Sequence, residues 1–571
     1  MADPIISFQD YGFQYTAQAE PTLHHIDLDI YPGEKVLIAG ASGSGKSTIG
    51  SCMNGLIPFA YPGESTGKLL VNGIEPQKSS IFELSHTVGT VLQDTDGQFI
   101  GLTVGEDIAF ALENDCVPQK EMRQTVEQVA KLVDIEHHMQ YAPHELSGGQ
   151  KQRVSLAGVM VDDVKVLLFD EPLANLDPAA GRMTIELIDM VQKKTGAAVV
   201  IIEHRLEDVL WRNVDRIVLM EEGRIVTDME TDRLLSGNIL MEHGLREPLY
   251  LTALRYAGIP ITEEIHPQHV EELSLTSGQK EKVRDWYLRS KGQEQETEEK
   301  EELLRVENLS FGYTPEQQNL ENVSFTIHKG EMVSIVGRNG AGKSTLAKLV
   351  CGFEKPVSGR ICMEGKDLVD DTIKERAARI GYVMQNPNQM ISKPMIWDEV
   401  EMALLASDMT QDERTARVDE TLKICGLYPF RKWPVSALSF GQKKRVTIAS
   451  ILVQRPRMII LDEPTAGQDY EHYTEIMEFL KELNAQGFTI VMITHDMHLM
   501  LEYTKRAIVF SEGKLLADTS AAHVLNNPEL VRQANLKETS LYTLSVQCGI
   551  DNPQAFTECF IRQEQEVRRD G

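Results

Sequence analysis

Short apolar runs that break off at glycine set the rhythm of the chain. Glu34-Lys-Val-Leu-Ile-Ala39 runs into Gly40, and Glu331-Met-Val-Ser-Ile-Val336 runs into Gly337. Val166–Phe169, Ala198–Ile202, Met458–Leu461 and Thr489–Ile493 are similar four- or five-residue apolar runs. A run this short, continuous rather than alternating and rich in branched side chains, predicts a strand buried on both faces. Longer stretches with helical spacing separate these runs, so the pattern predicts an α/β chain with a mostly parallel sheet in each half. The runs are far shorter than the ~20 apolar residues that cross a bilayer.

The pattern also repeats. The segment Gly40, Ala41, Ser42, Gly43, Ser44, Gly45, Lys46, Ser47, Thr48 returns 297 residues later as Gly337, Arg338, Asn339, Gly340, Ala341, Gly342, Lys343, Ser344, Thr345. Leu146 followed by Ser147, Gly148, Gly149 and Gln150 returns 292 residues later as Leu438 followed by Ser439, Phe440, Gly441 and Gln442. Phe169-Asp-Glu-Pro172 returns as Leu461-Asp-Glu-Pro464, and 54 residues separate Gln93 from Ser147 and Gln385 from Ser439. A fixed offset over several motifs marks a tandem duplication. The tails repeat too, Arg246-Glu247 leading to Gly258 and Lys537-Glu538 to Gly549. The expected division is a first domain over 1–260 with a C-terminal extension, an acidic linker over 261–302, and a second domain over 303–571 with its own extension. The linker holds 12 acidic and 6 basic side chains and ends in the run Glu294–Glu302, so it is expected to be solvated and mobile.

Composition narrows the class. With 571 residues the chain exceeds one core, and 42% hydrophobic with 25% charged residues is ordinary for globular domains. The net charge of −29 argues against grip on nucleic acid through phosphate neutralisation. Seven scattered cysteines without a Cys-x-x-Cys pair are expected to be reduced thiols. Met1-Ala-Asp-Pro4 has no charged leader followed by an apolar stretch, so no secretory signal is expected.

Each Gly-x4-Gly-Lys-Ser loop has the form whose backbone N–H groups wrap phosphate oxygens, with Lys46 or Lys343 on the outer phosphates and Ser47 or Ser344 on Mg²⁺. Asp170 and Asp462 end apolar strands, where a carboxylate can hold Mg²⁺ directly or through water. Glu171 and Glu463 follow, placed to act as general bases on an attacking water. His204 and His495 end another apolar strand about 32 residues further on and are candidates for a γ-phosphate contact. Gln93 and Gln385 suit a metal or water ligand.

On these residues both halves resemble ATP-binding-cassette ATPases, a P-loop NTPase class. Leu-Ser-Gly-Gly-Gln is that family's most specific mark, flanked here by Walker A, Q-loop, Walker B, D-loop (Ala174–Asp177 and Ala466–Asp469) and His-switch motifs. The resemblance implies a helical subdomain in each half, ATP and Mg²⁺ as ligands, and intramolecular head-to-tail pairing. In that pairing the Lys46 loop faces Ser439 and the Lys343 loop faces Ser147, sandwiching two ATP molecules. It also implies that Tyr15 and Tyr313, 31 and 30 residues before the P-loop lysines, stack on adenine. Two departures, Phe440 in place of glycine and Glu203 in place of threonine, remove no phosphate-contacting group, so both sites are expected to hydrolyse ATP.

The segment Gln93–Asn114 further resembles the region after the Q-loop in energy-coupling factor ATPases, the motors of vitamin and cobalt or nickel importers. The chain is similar to the fused two-cassette form associated with hydroxymethylpyrimidine or thiamine uptake. The resemblance implies a peripheral location on the cytoplasmic face of the cell membrane, a transmembrane coupling subunit and a separate substrate-binding membrane subunit. Asp94, Asp96, Glu106 and Asp107 are expected to form an acidic groove for a basic coupling helix. The alternative is a soluble tandem cassette acting on ribosomes or another macromolecule; the acidic linker counts against it.

Overall fold

The computed structural model describes residues 3–93, 96–174, 176–290, 301–314 and 318–570, with the side chains of Asp96, Arg569 and Asp570 left aside. Two compact units divide the chain, Met1–Val283 and Arg284–Gly571. Each is built on a six-stranded sheet whose centre is the strand that runs into the P-loop.

In the first unit the strand order is Val88–Val91, Val166–Asp170, Ala198–Ile202, Lys35–Gly40, Arg216–Glu221, Arg224–Glu230. The first five are parallel and the last pair is antiparallel. The second unit repeats the order as Ile380–Val383, Met458–Asp462, Thr489–Ile493, Met332–Gly337, Arg506–Ser511, Lys514–Ser520. The apolar runs predicted as buried strands form the middle of each sheet, and Val36–Ile38, Val199–Ile202 and Ile490–Ile493 are nearly inaccessible. An antiparallel sheet of three strands in the first unit and four in the second lies in the same apolar core as the P-loop strand.

Parallel order gathers the strand ends at one edge, where open α/β sheets bind ligands. Asp170 pairs in register with Ile202 and Asp462 with Ile493, so each Asp-Glu pair emerges beside the residue that leads to its histidine.

The helical subdomains are Val104–Asn114, Gln119–Leu132 and Gly148–Met160 in the first unit. Their counterparts are Ile396–Met402, Gln411–Ile424 and Phe440–Leu452. Reciprocal capping boxes start four of them, at Thr103/Glu106, Ser147/Gln150, Thr410/Glu413 and Ser439/Gln442.

The expected linker needs correction. Residues 291–300, most of the acidic run, lie outside the described residues, but 261–290 are folded rather than solvated. Its first part packs on the first unit: Ile265 and Leu273 are buried, and Tyr250 donates its hydroxyl to Pro267 O at 2.6 Å. A helix follows over Ser277–Ser290, and its C-terminal half belongs to the second unit. There Trp286 meets Phe556 edge-on at 5.5 Å between ring centroids, and Arg284 donates to Cys548 O. Val283, Trp286 and Tyr287 stand at i, i+3 and i+4, an apolar stripe that the surrounding charges conceal. No helix among the described residues is long and apolar enough to cross a membrane. The seven cysteines are free thiols, all but Cys116 buried.

Candidate functional site

The P-loops are set by backbone geometry. Gly40 and Gly337 take φ of +154° and +144°, and a Cβ on either would collide with the Met220 or Phe510 carbonyl on the neighbouring strand. Only glycine lets the loop leave the sheet at that angle. Each loop opens into a helix, Lys46–Met53 or Lys343–Cys351, so its N–H groups converge at a helix N-terminus. The lysines are buried and lie over the loop. Lys46 Nζ donates to Gly40 O at 2.8 Å and Ala41 O at 2.6 Å, and Lys343 Nζ to Gly337 O at 2.7 Å and Arg338 O at 2.9 Å.

Serine and aspartate meet at each strand end, while Gln93 reaches the neighbouring glutamate. Ser47 Oγ stands 3.3 Å from Asp170 Oδ1, and Gln93 Nε2 donates to Glu171 Oε2 at 2.5 Å. In the second unit Ser344 also hydrogen-bonds Asp462, and Tyr382 donates its hydroxyl to Asp462 Oδ2 at 2.8 Å. Burial pushes both aspartates above the ordinary carboxylate range, while the hydrogen bonds pull them back. Half-buried aspartate, serine hydroxyl and glutamine carbonyl are all hard oxygen donors, a set that fits Mg²⁺.

The two general-base candidates differ in surroundings. Glu171 is pushed up to about 7, first by burial and then by the charges of Glu203 and Asp170. Glu203 is fully buried, and its Oε1 accepts from His204 N at 2.9 Å and Arg205 N at 3.2 Å. His204 Nδ1 lies 3.1 Å from the same oxygen. In the second unit threonine occupies that register, Thr494 Oγ1 reaching Glu463 Oε2 at 3.4 Å, and His495 Nδ1 lies 2.8 Å from Glu463 Oε1. The departure at Glu203 therefore places an extra carboxylate beside the first unit's base. Both glutamates hold positive φ, 47° and 46°, in the turn that presents them past the strand end.

The signature residues cap helices. Ser147 N donates to Gln150 Oε1 at 2.8 Å and Gln150 N to Ser147 Oγ, and Ser439 and Gln442 repeat the exchange. The Ser-x-x-Gln spacing is itself a capping signature, visible in the chain before any fold is known. Phe440 is exposed at the first turn of its helix. Tyr15 places its hydroxyl 3.1 Å from Thr48 Oγ1, and Lys348 Nζ lies 5.9 Å from the Tyr313 ring centroid, so each ring flanks its own P-loop helix. Asn175 of the first D-loop lies outside the described residues; Asp177 and Asp469 N-cap the helices that follow.

The acidic docking groove is only partly as expected. Asp94 and the Asp96 side chain lie outside the described residues. Glu106 Oε2 accepts from the backbone N–H of Leu102 and Thr103, and Asp107 Oδ1 from Ile100 and Gly101, so both carboxylates fasten their own loop. That loop exposes apolar side chains instead, Ile100 at 64% and Leu102 at 82%.

Comparison with known proteins shows the family. The family model described as ABC transporter matches residues 23–174 and again 320–466, and one described as ATP-binding cassette cobalt transporter matches 237–311. A relative in Enterococcus faecalis (strain ATCC 700802 / V583), named "Putative ABC transporter ATP-binding protein", is 57% identical over the full length of both chains. Similarly named relatives are 56% identical in Clostridium perfringens (strain 13 / Type A), over 99% of each chain, and 54% identical in Streptococcus mutans serotype c, over 98% of this chain and 99% of that one. The chain belongs to the ABC transporter family: it is an ATP-binding subunit with two cassettes, and an ATPase.

Proposed function

We propose that this chain is the energy-coupling subunit of a membrane importer of the energy-coupling factor type, for a vitamin, a vitamin precursor or a transition-metal ion. The observation that carries the reading is the match of residues 237–311 to the ATP-binding cassette cobalt transporter family. That span takes in the first unit's extension and the helix Ser277–Ser290, which nucleotide chemistry alone does not require.

In this reading each ATP lies between the P-loop of one half and the signature helix of the other, Lys46 with Ser439 and Lys343 with Ser147. The glycine loops and lysines bind the phosphates, and the capped helix N-termini direct further N–H groups at them. Mg²⁺, when bound by Ser47, Asp170 and Gln93 or by Ser344, Asp462 and Gln385, supplies electrostatic stabilisation of the phosphoryl oxygens. Glu171 and Glu463 take the proton of the attacking water, with His204 and His495 orienting carboxylate and phosphate. Tyr15 and Tyr313 offer their ring faces to adenine.

ATP binding draws the halves together and hydrolysis releases them. A transmembrane coupling subunit transmits that movement to a separate substrate-binding membrane subunit, with this chain peripheral on the cytoplasmic face. The exposed Ile100 and Leu102 loop supports docking through apolar contact, with charge in a secondary role. A detergent pull-down of tagged full-length chain from native membranes, followed by mass spectrometry, tests the reading. Recovery of a polytopic subunit with a small membrane protein is expected; recovery with ribosomal proteins in the soluble fraction would overturn it.

A further inference from the structure

The two halves fasten their Q-loops differently, through two paired exchanges of residue. In the first unit Gln98 holds the end of the strand Val88–Val91: its Nε2 donates to Thr90 O at 2.9 Å, and its Oε1 accepts from Leu92 N at 3.3 Å. At the equivalent register, 292 residues on, stands Met390, whose thioether accepts a single weak bond from Met384 N.

The second unit's loop is instead held at different atoms, by the signature helix. Lys444, five residues after Ser439 and 1% exposed, donates from Nζ to Met384 O at 2.9 Å and Gln385 O at 2.7 Å. Its counterpart five residues after Ser147 is Gln152, which turns elsewhere. Gln152 donates to Pro172 O, in the turn after Glu171, and accepts from Thr184 Oγ1 at 2.7 Å. Thr184 is itself replaced by Ile476 in the second half.

A buried ammonium needs such partners. Lys444 is 1% exposed and both carbonyls lie within hydrogen-bond distance of its Nζ, so they are bonds the lysine cannot forgo without cost. Hydrogen bonds from a charged donor are also stronger than neutral ones.

We propose that Lys444 is a positioning residue that latches the Gln385 loop to the signature helix of its own unit, so that in the second half Gln385 and Ser439 move as one body. In the first half the corresponding parts are fastened separately, the Gln93 loop by Gln98 and the signature helix by Gln152. This rests on the functional reading only in assigning Gln385 to the Mg²⁺ side.

The test uses full-length protein without nucleotide. Hydrogen–deuterium exchange over residues 384–392 is compared in wild type, K444Q and the double variant M390Q/K444Q, alongside steady-state ATP turnover. K444Q is expected to speed exchange there about tenfold or more, with the loops 40–48 and 337–345 unchanged. It should lower kcat about fivefold or more while KM for ATP moves less than about twofold. M390Q/K444Q gives the loop the first half's glutamine fastening, with Ile476 still in place of Thr184, and is expected to recover protection and most of the turnover. Unchanged exchange over 384–392 in K444Q overturns the latch. If K444Q does not fold, a double variant that also fails to recover overturns it equally. Absence of turnover in wild type would sink the ATPase reading and leave the exchange result standing.

Discussion

His495 Nδ1 lies 2.8 Å from Glu463 Oε1, so the second unit's histidine is joined directly to its general-base candidate. A histidine held this way restrains the carboxylate's orientation. Replacing it by alanine, H495A, is expected to lower turnover by about tenfold or more while nucleotide binding by the P-loop persists. Steady-state kinetics with a fluorescent nucleotide titration separates the two effects.

Glu171 gives the first unit a pH signature. Its carboxyl is pushed up to about 7 from an ordinary value of 4.5, so the folded chain holds a proton that the unfolded chain has lost between those limits. Stability contributed by this group is therefore present below about 4.5 and is lost as pH rises to about 7. E171Q cannot ionise, so nucleotide-free E171Q should melt above wild type at pH 8, with the difference shrinking towards pH 5. On the order of 2 kcal/mol is at stake. Melting curves across that range check it, and a pH-independent difference would contradict it.

Tyr382 offers a contrast at the metal side. Its hydroxyl bonds Asp462 Oδ2 at 2.8 Å, whereas Thr90 at the same register of the first unit accepts from Asn54 at 3.2 Å. Y382F removes a hydrogen bond that favours the ionised Asp462. The Mg²⁺ concentration for half-maximal turnover is expected to rise about three- to tenfold. A Mg²⁺ titration of wild type and Y382F measures it.

Arg568 ties the last helix, Pro553–Asp570, to the helix Met497–Tyr503. Arg568 donates to Glu502 Oε2 and Tyr503 Oη, both at 2.8 Å, and reaches the Tyr470 hydroxyl at 3.3 Å. Glu502 is buried, so R568A leaves a carboxylate without that partner and should cost about 3 kcal/mol. Thermal denaturation of the full chain is expected to show a lowered melting transition; an unchanged one would contradict the assignment.

Much of this site was legible because it depends on local backbone rules. Glycines at Gly40 and Gly337 are demanded by a sheet exit that a Cβ would block, and strand ends at Asp170 and Asp462 follow from apolar runs. The folded part of the segment 261–290 was hidden by its charges, though Val283, Trp286 and Tyr287 carried the helical spacing that reveals it. Glu106 and Asp107 read as free surface charge, but both are spent on N–H groups of their own loop, a use that composition does not display. The Lys444 latch joins residues 59 and 60 positions apart, and only the fold brings Met390 and Lys444 into one comparison with Gln98 and Gln152.

The central claim is that both halves hydrolyse ATP, and the most direct measurement is turnover of the full chain carrying E171Q, E463Q or both. Each single substitution is expected to reduce turnover, and the pair together to remove it by at least about a hundredfold. Turnover unchanged by either single substitution would contradict the claim for that half.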